Sequence, residues 1–174
     1  MNTDFIPAWD QGVLKPLEKL DVHKRGLRHK AVSVFLISND SVLLQKRAST
    51  KYHTPGLWAN TCCTHPSWLE EPIDCAHRRL KEELGVDVSE LVYKNKIDYK
   101  ADVGNGLIEN ETVDVFVGSV TTKEKLKMRL NENEVSEVKW VNFETLKEEI
   151  TLSPSSFTPW LRIYIQDHLD QIIN

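Results

Sequence analysis

Two short segments of the 174-residue chain carry the side chains best suited to chemistry. One reads WANTCCTHP around Cys63, and the other reads Glu-Asn-Glu from Glu109 to Glu111. In an extended strand, side chains at i and i+2 point to one face, so Cys63 would share a face with His65, and the two glutamates would share another. Imidazole nitrogen and carboxylate oxygen bind divalent metals, and a free thiol beside them can transfer protons. Together the segments predict one pocket built from two strands.

The two glutamates are expected to face the interior of the protein. After Glu111 the sequence alternates polar and apolar residues, with a valine at every second position from 113 to 117, so glutamates and valines share one face. A carboxylate buried in such a face needs a partner, and a bound cation is the simplest one.

The adjacent cysteines should separate in space. If their segment is extended, Cys62 and Cys63 face opposite sides, so one fills core while the other lines the pocket. His65, two residues on, selects Cys63 as the pocket residue. The alternative for Cys63 is a small buried apolar side chain, which is the commoner role of a free cysteine.

The rest of the pattern predicts an α+β sandwich in a single domain, residues 1–174, rather than a doubly wound sheet. Strands and helices mix without a β-α-β rhythm, and neither repeats nor linkers mark a boundary. Strands are expected at 31–37, 42–46, 93–101, 112–120 and 138–141, the first two forming a hairpin. A polar loop at 47–56 precedes an extended segment at 58–64. Helices are expected at 72–84, at 143–150 and from about residue 156 to the end.

The helix at 72–84 has the clearest signature, with Pro72 at its start and Gly85 just past its end. Its core-facing positions are Ile73, Ala76, Leu80 and Leu84. Arg79 and Glu83 lie at the edge of this apolar face, where the simplest interpretation is an i,i+4 ion pair.

Composition narrows the classes of function and location. With 26 acidic and 22 basic residues the net charge is -4, so no overall attraction to nucleic acid or anionic lipid is expected, and an anionic ligand needs a local basic cluster. An odd number of cysteines, two of them adjacent, predicts reduced thiols and a cytoplasmic location. No stretch approaches the ~20 apolar residues of a membrane span, so membrane insertion is not expected. The expected assembly is a monomer or a weak homodimer.

Residues 64–86 resemble the Nudix box, a loop-helix-loop that binds divalent metal and diphosphate. Seven residues after Glu70 the chain reads RRLKEELGV from Arg78. Two positions depart from the box: Thr64 replaces its opening glycine, and Arg79 replaces the glutamate that follows its arginine. The resemblance therefore implies a weakened multi-metal hydrolytic site and an arginine placed to grip diphosphate.

With these two departures and the CCTHP and ENE runs, the sequence resembles the type I isopentenyl diphosphate isomerase family, which has the Nudix fold. The resemblance extends roughly from Lys19 to Trp160, and WANTCCTHP is its most specific part. It implies a mixed-sheet sandwich flanked by helices. It also implies isomerisation of isopentenyl to dimethylallyl diphosphate for isoprenoid biosynthesis, with a small allylic or homoallylic diphosphate as substrate.

By the same resemblance, five side chains form a metal site for Mn²⁺ or Zn²⁺: His23, His29, His65, Glu109 and Glu111. A shell of borderline nitrogen and hard oxygen ligands suits either ion. Three histidines have no matched partner and are expected to be structural or solvent-facing: His53, His77 and His168.

The implied reaction adds a proton to an alkene and removes another from a more distant carbon, which requires an acid and a base on opposite faces of a flat apolar chain. By resemblance, Cys63 stands on one face and Glu111 on the other, while Tyr99 assists proton exchange at the glutamate. Trp160 matches a tryptophan whose π face stabilises the carbocation. The alternative for Trp160 is an ordinary apolar anchor of an amphipathic helix.

Four basic residues match the diphosphate-binding positions of the family: Lys19, Arg47, Lys51 and Arg79. A Mg²⁺ ion is expected to bridge phosphate oxygens to Glu83. Each cation alone would usually be a solvated surface residue, but their convergence would explain how an acidic protein binds an anion.

Two other functions compete with the isomerase. One is a Nudix pyrophosphohydrolase acting on a nucleoside diphosphate derivative, which Arg79 disfavours because a carboxylate is missing there. The other is a non-catalytic metal-binding module, in which Cys63 only packs.

Overall fold

A computed structural model describes residues 4–174 of the protein as a mixed sheet with helices on both faces. The strands are β1 (Phe5–Asp10), β2 (Val13–Glu18), β3 (His29–Ser38), β4 (Ser41–Arg47), β5 (Trp58–Ala59), β6 (Cys62–Thr64), β7 (Val92–Asp102), β8 (Ile108–Ser119) and β9 (Val135–Asn142). The α-helices are α1 (Lys19–Arg25), α2 (Pro72–Leu84), α3 (Phe143–Leu152), α4 (Pro159–Asp167) and α5 (Leu169–Ile173). Within residues 4–174 none of these helices has the length and apolar character needed to span a bilayer. The architecture confirms the expected α+β class.

Strand β3 organises the sheet because it is paired along both edges. It runs parallel to β8 on one edge, and its other edge meets β1, β6 and β4, all antiparallel. Its side chains alternate between two cores: Phe35 packs with residues of α3, α4 and α5 in the first core, and Leu36 packs with residues of α2 in the second core. Burial on both faces explains why this strand reads as an almost continuous apolar run.

Strand pairing brings three site positions side by side at one end of the sheet. Glu111 of β8 is in register with His29 of β3 on one side and with Tyr99 of β7 on the other. On the far edge of β3, Ser33 is in register with Cys63 of β6. Adjacent strands lie about 5 Å apart, so the register alone places these side chains within reach of one another.

Helix α2 begins and ends where the sequence predicts. Pro72 occupies its first turn, and Gly85 ends it with φ of +65°. A Cβ at Gly85 would lie 2.8 Å from backbone atoms of Arg129, so glycine is required there for space as well as for backbone conformation. The helix buries Ala76, Leu80 and Leu84 in the second core, with Ile73 packed at its edge.

The other predicted elements are present with shifted ends. The hairpin between β3 and β4 forms, with Ile37 in register with Val42. Strand β8 begins at residue 108 rather than 112, so it contains the two glutamates. The single C-terminal helix expected from about residue 156 is two helices, because Pro159 starts α4 behind the Thr158 cap and the chain leaves helical geometry at His168.

The N-terminal hairpin β1–β2 and helix α1 were not predicted. The local sequence signal for the hairpin is only two residues long: Gln11 and Gly12 form its turn, and both have positive φ. The side chain of Glu18 then caps α1 by accepting hydrogen bonds from the backbone N–H groups of Leu20 and Asp21. Gly26, with φ of +61°, ends the helix and lets the chain turn back into β3.

Candidate active site

An enclosed cavity of about 30 Å³ lies where β6, β8, α2 and the loop after β4 meet. Its lining includes a thiol, two carboxylates and an indole that the sequence singled out: Cys63, Glu109, Glu111 and Trp160. Thus the two strand segments that carry the CCTHP and ENE runs do contribute to one pocket.

The Cys63 thiol is held against the sheet by a hydroxyl of the neighbouring strand. Ser33 Oγ donates to Cys63 Sγ at 3.2 Å and lies 2.9 Å from Tyr164 Oη. Burial raises the pKa of the Cys63 thiol well above its ordinary value, and the charges of Glu111 and Glu109 raise it further. Cys63 therefore keeps its proton at neutral pH, as a proton donor must.

Tyr99 joins the two glutamates through a single hydroxyl. Tyr99 Oη lies 2.8 Å from Glu109 Oε2 and 2.6 Å from Glu111 Oε2. A hydroxyl has one hydrogen to donate, so both short contacts are hydrogen bonds only if one carboxyl group carries a proton and donates to the tyrosine. Without a bound cation, the pair therefore shares one proton.

The surroundings of the two carboxyl groups decide where that proton lies. Burial and the adjacent charge of Glu111 raise the pKa of Glu109 well above its usual range. Burial also opposes charge on Glu111, but the adjacent imidazoles of His29 and His65 outweigh it and lower the pKa of Glu111. The proton therefore belongs to Glu109, and Glu111 is the ionised member.

Two of the site histidines are fixed in the tautomer that a metal requires. His23 Nδ1 and His29 Nδ1 each lie 2.7 Å from a backbone carbonyl, those of Lys19 and Leu27 respectively. Because a carbonyl only accepts, each Nδ1 carries the hydrogen and each Nε2 keeps its lone pair. Among residues 4–174, His23 Nε2 is buried without a hydrogen-bond partner.

Four side chains converge closely enough to hold one ion. Ligand atoms of His23, His29, His65 and Glu111 all lie within 4.8 Å of one another. Glu111 Oε1 is 3.4 Å from His29 Nε2 and 3.0 Å from His65 Nε2. Burial lowers the pKa of His23 to about 4 and that of His65 well below its ordinary value, so both are in the neutral form that binds metal. The donor set fits a divalent metal.

The fifth predicted ligand, Glu109, belongs to a second group that shares His23 and adds His53. Of the two expectations for His53, structural or solvent-facing, only the first agrees with the structure: the residue is 3% exposed, and its Nε2 lies 3.6 Å from Glu109 Oε1. The loop 47–56 has no periodic pattern from which this placement could be read. His77 lies partly exposed on α2, and His168 lies between α4 and α5.

The four predicted diphosphate-binding cations all line the cavity, and three of them, Lys19, Lys51 and Arg79, also line an adjoining cavity of about 600 Å³. Burial and the like charges of Lys51 and Arg79 lower the pKa of Lys19. Arg47 lies deeper, with its Cζ 5.3 Å from the centre of the Trp160 ring. The indole therefore already faces a cation in this structure.

Two carboxylates partner these cations. Glu83 Oε1 accepts from Arg79 Nη2 at 2.6 Å, and Glu83 Oε2 accepts from Gln45 Nε2 at 2.9 Å, so the i,i+4 ion pair forms inside the site. Glu134, which sequence reasoning missed, lies 2.5 Å from Lys51 Nζ and 3.6 Å from Arg79 Nη2. Glu134 precedes β9, far from the motifs in sequence, and no spacing signal linked it to them.

The arrangement combines four chemical features in one place. They are the protonated thiol of Cys63, the two carboxyl groups joined by Tyr99, the indole of Trp160, and a cationic mouth formed by the side chains of Lys19, Lys51 and Arg79. Such a site can bind an anionic group at the mouth while an apolar group contacts the acid and base inside.

Similarity to known proteins extends over almost the whole chain. The NUDIX domain family model matches residues 27–161. The chain is 52% identical over 170 residues to an isopentenyl-diphosphate Delta-isomerase of Cereibacter sphaeroides, covering 98% of this chain and 95% of that protein. It is 54% identical to an isopentenyl-diphosphate Delta-isomerase of a Jannaschia species, covering 98% and 96% of the two chains.

Solved structures share the fold at low sequence identity. A Deinococcus radiodurans protein superposes with a TM-score of 0.74 at 12% identity, covering 98% of this chain and 100% of that one. A MutT NUDIX hydrolase of Burkholderia pseudomallei superposes with a TM-score of 0.62 at 19% identity, covering 81% and 98%.

Proposed function

The chain belongs to the isopentenyl-diphosphate Delta-isomerase family within the Nudix superfamily, and from that premise we propose how its own residues convert isopentenyl diphosphate into dimethylallyl diphosphate. The observation that carries the proposal is that Cys63 and Glu111 line one cavity together with Trp160, beneath a cationic mouth.

We propose Cys63 and Glu111 as the acid and base couple on opposite faces of the alkene. One proton is added to the terminal carbon of the double bond, which leaves a tertiary carbocation on the branched carbon. A different proton is then lost from the neighbouring methylene carbon, and its C–H electron pair forms the new double bond. Proton number is conserved in the substrate, but the donor is left one proton short and the acceptor carries one extra. The site therefore resets when the donor regains a proton from solvent and the acceptor releases one, and the Tyr99 hydroxyl, hydrogen-bonded to both carboxyl groups, carries the proton on the glutamate side.

The carbocation requires an environment that stabilises positive charge without reacting with it. Trp160 is 1% exposed, lies in the first core and lines the cavity, so its ring helps to exclude water from it. Arg47 lies over that ring in the structure, at a distance typical of cation–π contacts. We propose that the substrate-derived cation uses the same property of the indole.

The diphosphate is proposed to bind at the mouth, held by Lys19, Lys51 and Arg79, with Arg47 deeper in the cavity. Lys19, Lys51 and Arg79 line both the inner cavity and the larger adjoining one, so the anionic end can remain outside while the hydrocarbon enters. Glu83 is proposed to hold a Mg²⁺ ion that neutralises phosphate charge, since a carboxylate can accept more hydrogen bonds or ligands than the two it makes here.

His23, His29, His65, Glu109 and Glu111 are proposed to hold a second ion, Mn²⁺ or Zn²⁺, for which the neutral imidazoles and the ionised Glu111 are suitable donors. When bound, this ion fixes the glutamates and makes a carboxyl proton more acidic. His23 and Lys19 precede the matched Nudix segment and still reach the site, which supports a single isomerase domain over residues 1–174.

The loop 47–56 is proposed to move when substrate enters. The inner cavity, at about 30 Å³, has room for about one water molecule and not for a five-carbon chain. Lys51 and Tyr52 of this loop line the cavity, so displacement of this part of the loop would enlarge it. Since Cys63 must stay reduced for this chemistry, we also propose a reducing, cytoplasmic location, consistent with three free thiols.

The direct test is incubation with isopentenyl diphosphate and Mg²⁺, followed by proton NMR for the dimethylallyl isomer. In D₂O, deuterium should enter the methyl group formed from the terminal carbon. Failure of a folded, metal-loaded preparation to convert the substrate would contradict the proposal. Release of phosphate from a panel of nucleoside diphosphate derivatives would instead favour hydrolysis, for which the arginine at position 79 is unsuited.

A further inference from the structure

We propose that His53 is a sixth protein ligand of the histidine and glutamate metal centre, completing a shell of four imidazoles and two carboxylates around one ion. This inference rests on the metal centre proposed above. It assigns a role in metal binding to the loop 47–56, which also carries Arg47 and Lys51.

The His53 ring is buried and oriented. It is 3% exposed, its Nδ1 lies 3.0 Å from Thr54 Oγ1, and its Nε2 points at Glu109 Oε1 from 3.6 Å. The ring is stacked on His23, with centroids 5.8 Å apart and an angle of 26° between planes. If Nδ1 donates its hydrogen to the threonine oxygen, Nε2 carries the lone pair that a metal needs.

The spacing of ligand atoms suits coordination to a common ion. Two ligands about 2.1 Å from one ion and at right angles to each other lie roughly 3.0 Å apart. The closest pairs here are His65 Nε2 and Glu111 Oε1 at 3.0 Å, His29 Nε2 and Glu111 Oε1 at 3.4 Å, and His53 Nε2 and Glu109 Oε1 at 3.6 Å. The His53 pair is thus spaced much like two residues already proposed as ligands. The ligand atoms of His53 and Glu109 form a group with His23 that is separate from the group with His29, His65 and Glu111, so the proposed ion must draw the two groups together when it binds.

The two groups of ligands share His23, and this favours one ion over two. His23 Nδ1 is committed to the Lys19 carbonyl, so only Nε2 is available, and one lone pair serves one metal ion. Tyr99 also ties Glu109 to Glu111 through one hydroxyl. A single ion with six protein ligands satisfies both constraints.

A metal-bound His53 would link ion binding to the diphosphate site. Lys51 lies two residues before His53 in the same loop, and Arg47 Nη2 donates to the His53 carbonyl at 3.2 Å. Loading of the ion should therefore order a loop that presents two of the phosphate-binding cations. Hydrogen exchange of the amides at 48–56 should slow when metal is added to the wild-type protein.

The alternative is that His53 only donates a hydrogen bond to Glu109. His53→Gln separates the two roles, because the glutamine amide can still donate to a carboxylate but is a poor ligand for these ions. His77→Ala is the matched control, since it removes a histidine that lies on α2 outside the cavity.

The experiment combines Zn²⁺ affinity, measured by competition with a chromophoric chelator, and histidine-ring ¹⁵N NMR of the Zn²⁺-loaded protein. We expect four metal-shifted ring nitrogens in wild type and His77→Ala, and three in His53→Gln and His53→Ala. Affinity should fall at least tenfold in both His53 variants, a loss of about 1.4 kcal/mol. Circular dichroism of the metal-free variants verifies that they fold.

The outcomes separate this inference from its premise. Three shifted nitrogens in wild type, with unchanged affinity in both His53 variants, overturn the sixth ligand and leave the five-ligand centre standing. A wild-type protein that takes up no Zn²⁺ or Mn²⁺ overturns both. Full affinity in His53→Gln with loss in His53→Ala identifies a hydrogen-bonding role and also overturns the inference.

Discussion

Cys62 and Cys63 are consecutive residues of β6, yet their side chains lie on opposite faces of the sheet. Cys62 is fully buried in the second core with residues of α2. Cys63 packs at the edge of the first core and lines the cavity that contains Glu109 and Glu111. The pleat of one short strand therefore gives two chemically identical groups different environments.

Cys63→Ala should abolish most isomerase activity, while Cys62→Ala should not. General acid–base groups contribute about 10²–10⁴-fold to rate, so kcat should fall by at least about 10² in Cys63→Ala. Cys62→Ala removes one buried sulfur and should cost about 1 kcal/mol of stability with kcat nearly unchanged. Steady-state kinetics and thermal unfolding of both variants provide the measurement. Equal kcat in Cys63→Ala and wild type would show that Cys63 only packs and is not the acid or the base.

Trp160→Leu should lower kcat with little change in KM, because the indole is proposed to stabilise a charge that exists only after protonation. A desolvated cation–π contact is worth about 2 kcal/mol, which corresponds to roughly 30-fold in rate. Trp58→Leu is the control, since Trp58 also has a cation over its ring, Lys139 at 4.7 Å, but lies outside the cavity. A matched loss of kcat in both variants would show that packing, and not the cation, is responsible.

Glu134→Gln should lower the KM for isopentenyl diphosphate. Glu134 pairs with Lys51 and Arg79, two cations proposed for the diphosphate, so the substrate must displace this carboxylate. Burial opposes its charge, but Lys51 and Arg79 lower the pKa of Glu134, so it competes as an anion at neutral pH. Part-exposed ion pairs are worth up to about 1 kcal/mol, so the expected decrease is at most about fivefold.

Glu137→Gln serves as the control for this change, because Glu137 lies three residues further along, in β9, but is exposed and pairs only loosely with Lys46, at 3.6 Å. Its KM should equal that of wild type. A rise in KM for Glu134→Gln, accompanied by a higher Mg²⁺ requirement, would show that Glu134 assists phosphate binding and does not oppose it.

Glu70 should make the stability of the protein depend on pH in the acid range. A two-point hydrogen bond with Arg78, at 2.6 and 2.7 Å, lowers the pKa of Glu70 below its ordinary value of 4.5. Because the folded pKa is depressed, the stabilisation is fully present above about pH 4.5 and is lost as pH falls through the folded pKa. Glu70→Gln should therefore reduce Tm at pH 7 and differ less from wild type at pH 3.

The size of this effect is modest because the pair is partly exposed: about 1 kcal/mol at most, or ~3 °C in Tm for a chain of this length. Glu71→Gln is the matched control, since the neighbouring Glu71 is exposed and makes no side-chain cap of α2. Parallel Tm curves for Glu70→Gln and wild type between pH 3 and pH 7 would exclude the linkage.

Local pattern predicted the regular elements well. The bounds of α2 follow from Pro72, Gly85 and an apolar stripe, all of which act within the helix itself. The interior orientation of Glu109 and Glu111 follows from period-two alternation with the valines after them, and both are at most 3% exposed. The hairpin β1–β2 was missed because its only local signal is a two-residue turn at Gln11 and Gly12.

The chain's own residue order determined the chemistry available to this protein: a thiol and an imidazole on one face of a strand, two carboxylates on one face of another, and a Nudix-type helix with an arginine in place of a glutamate. These placements follow from the side-chain period of two residues in a strand and 3.6 residues in a helix, which depend on local sequence alone. Only the tertiary structure decided that His53 lies against Glu109 and that Glu134 forms ion pairs with Lys51 and Arg79. Both residues lie in irregular segments, where the path of the backbone is fixed by distant contacts and no repeating geometry links sequence position to direction.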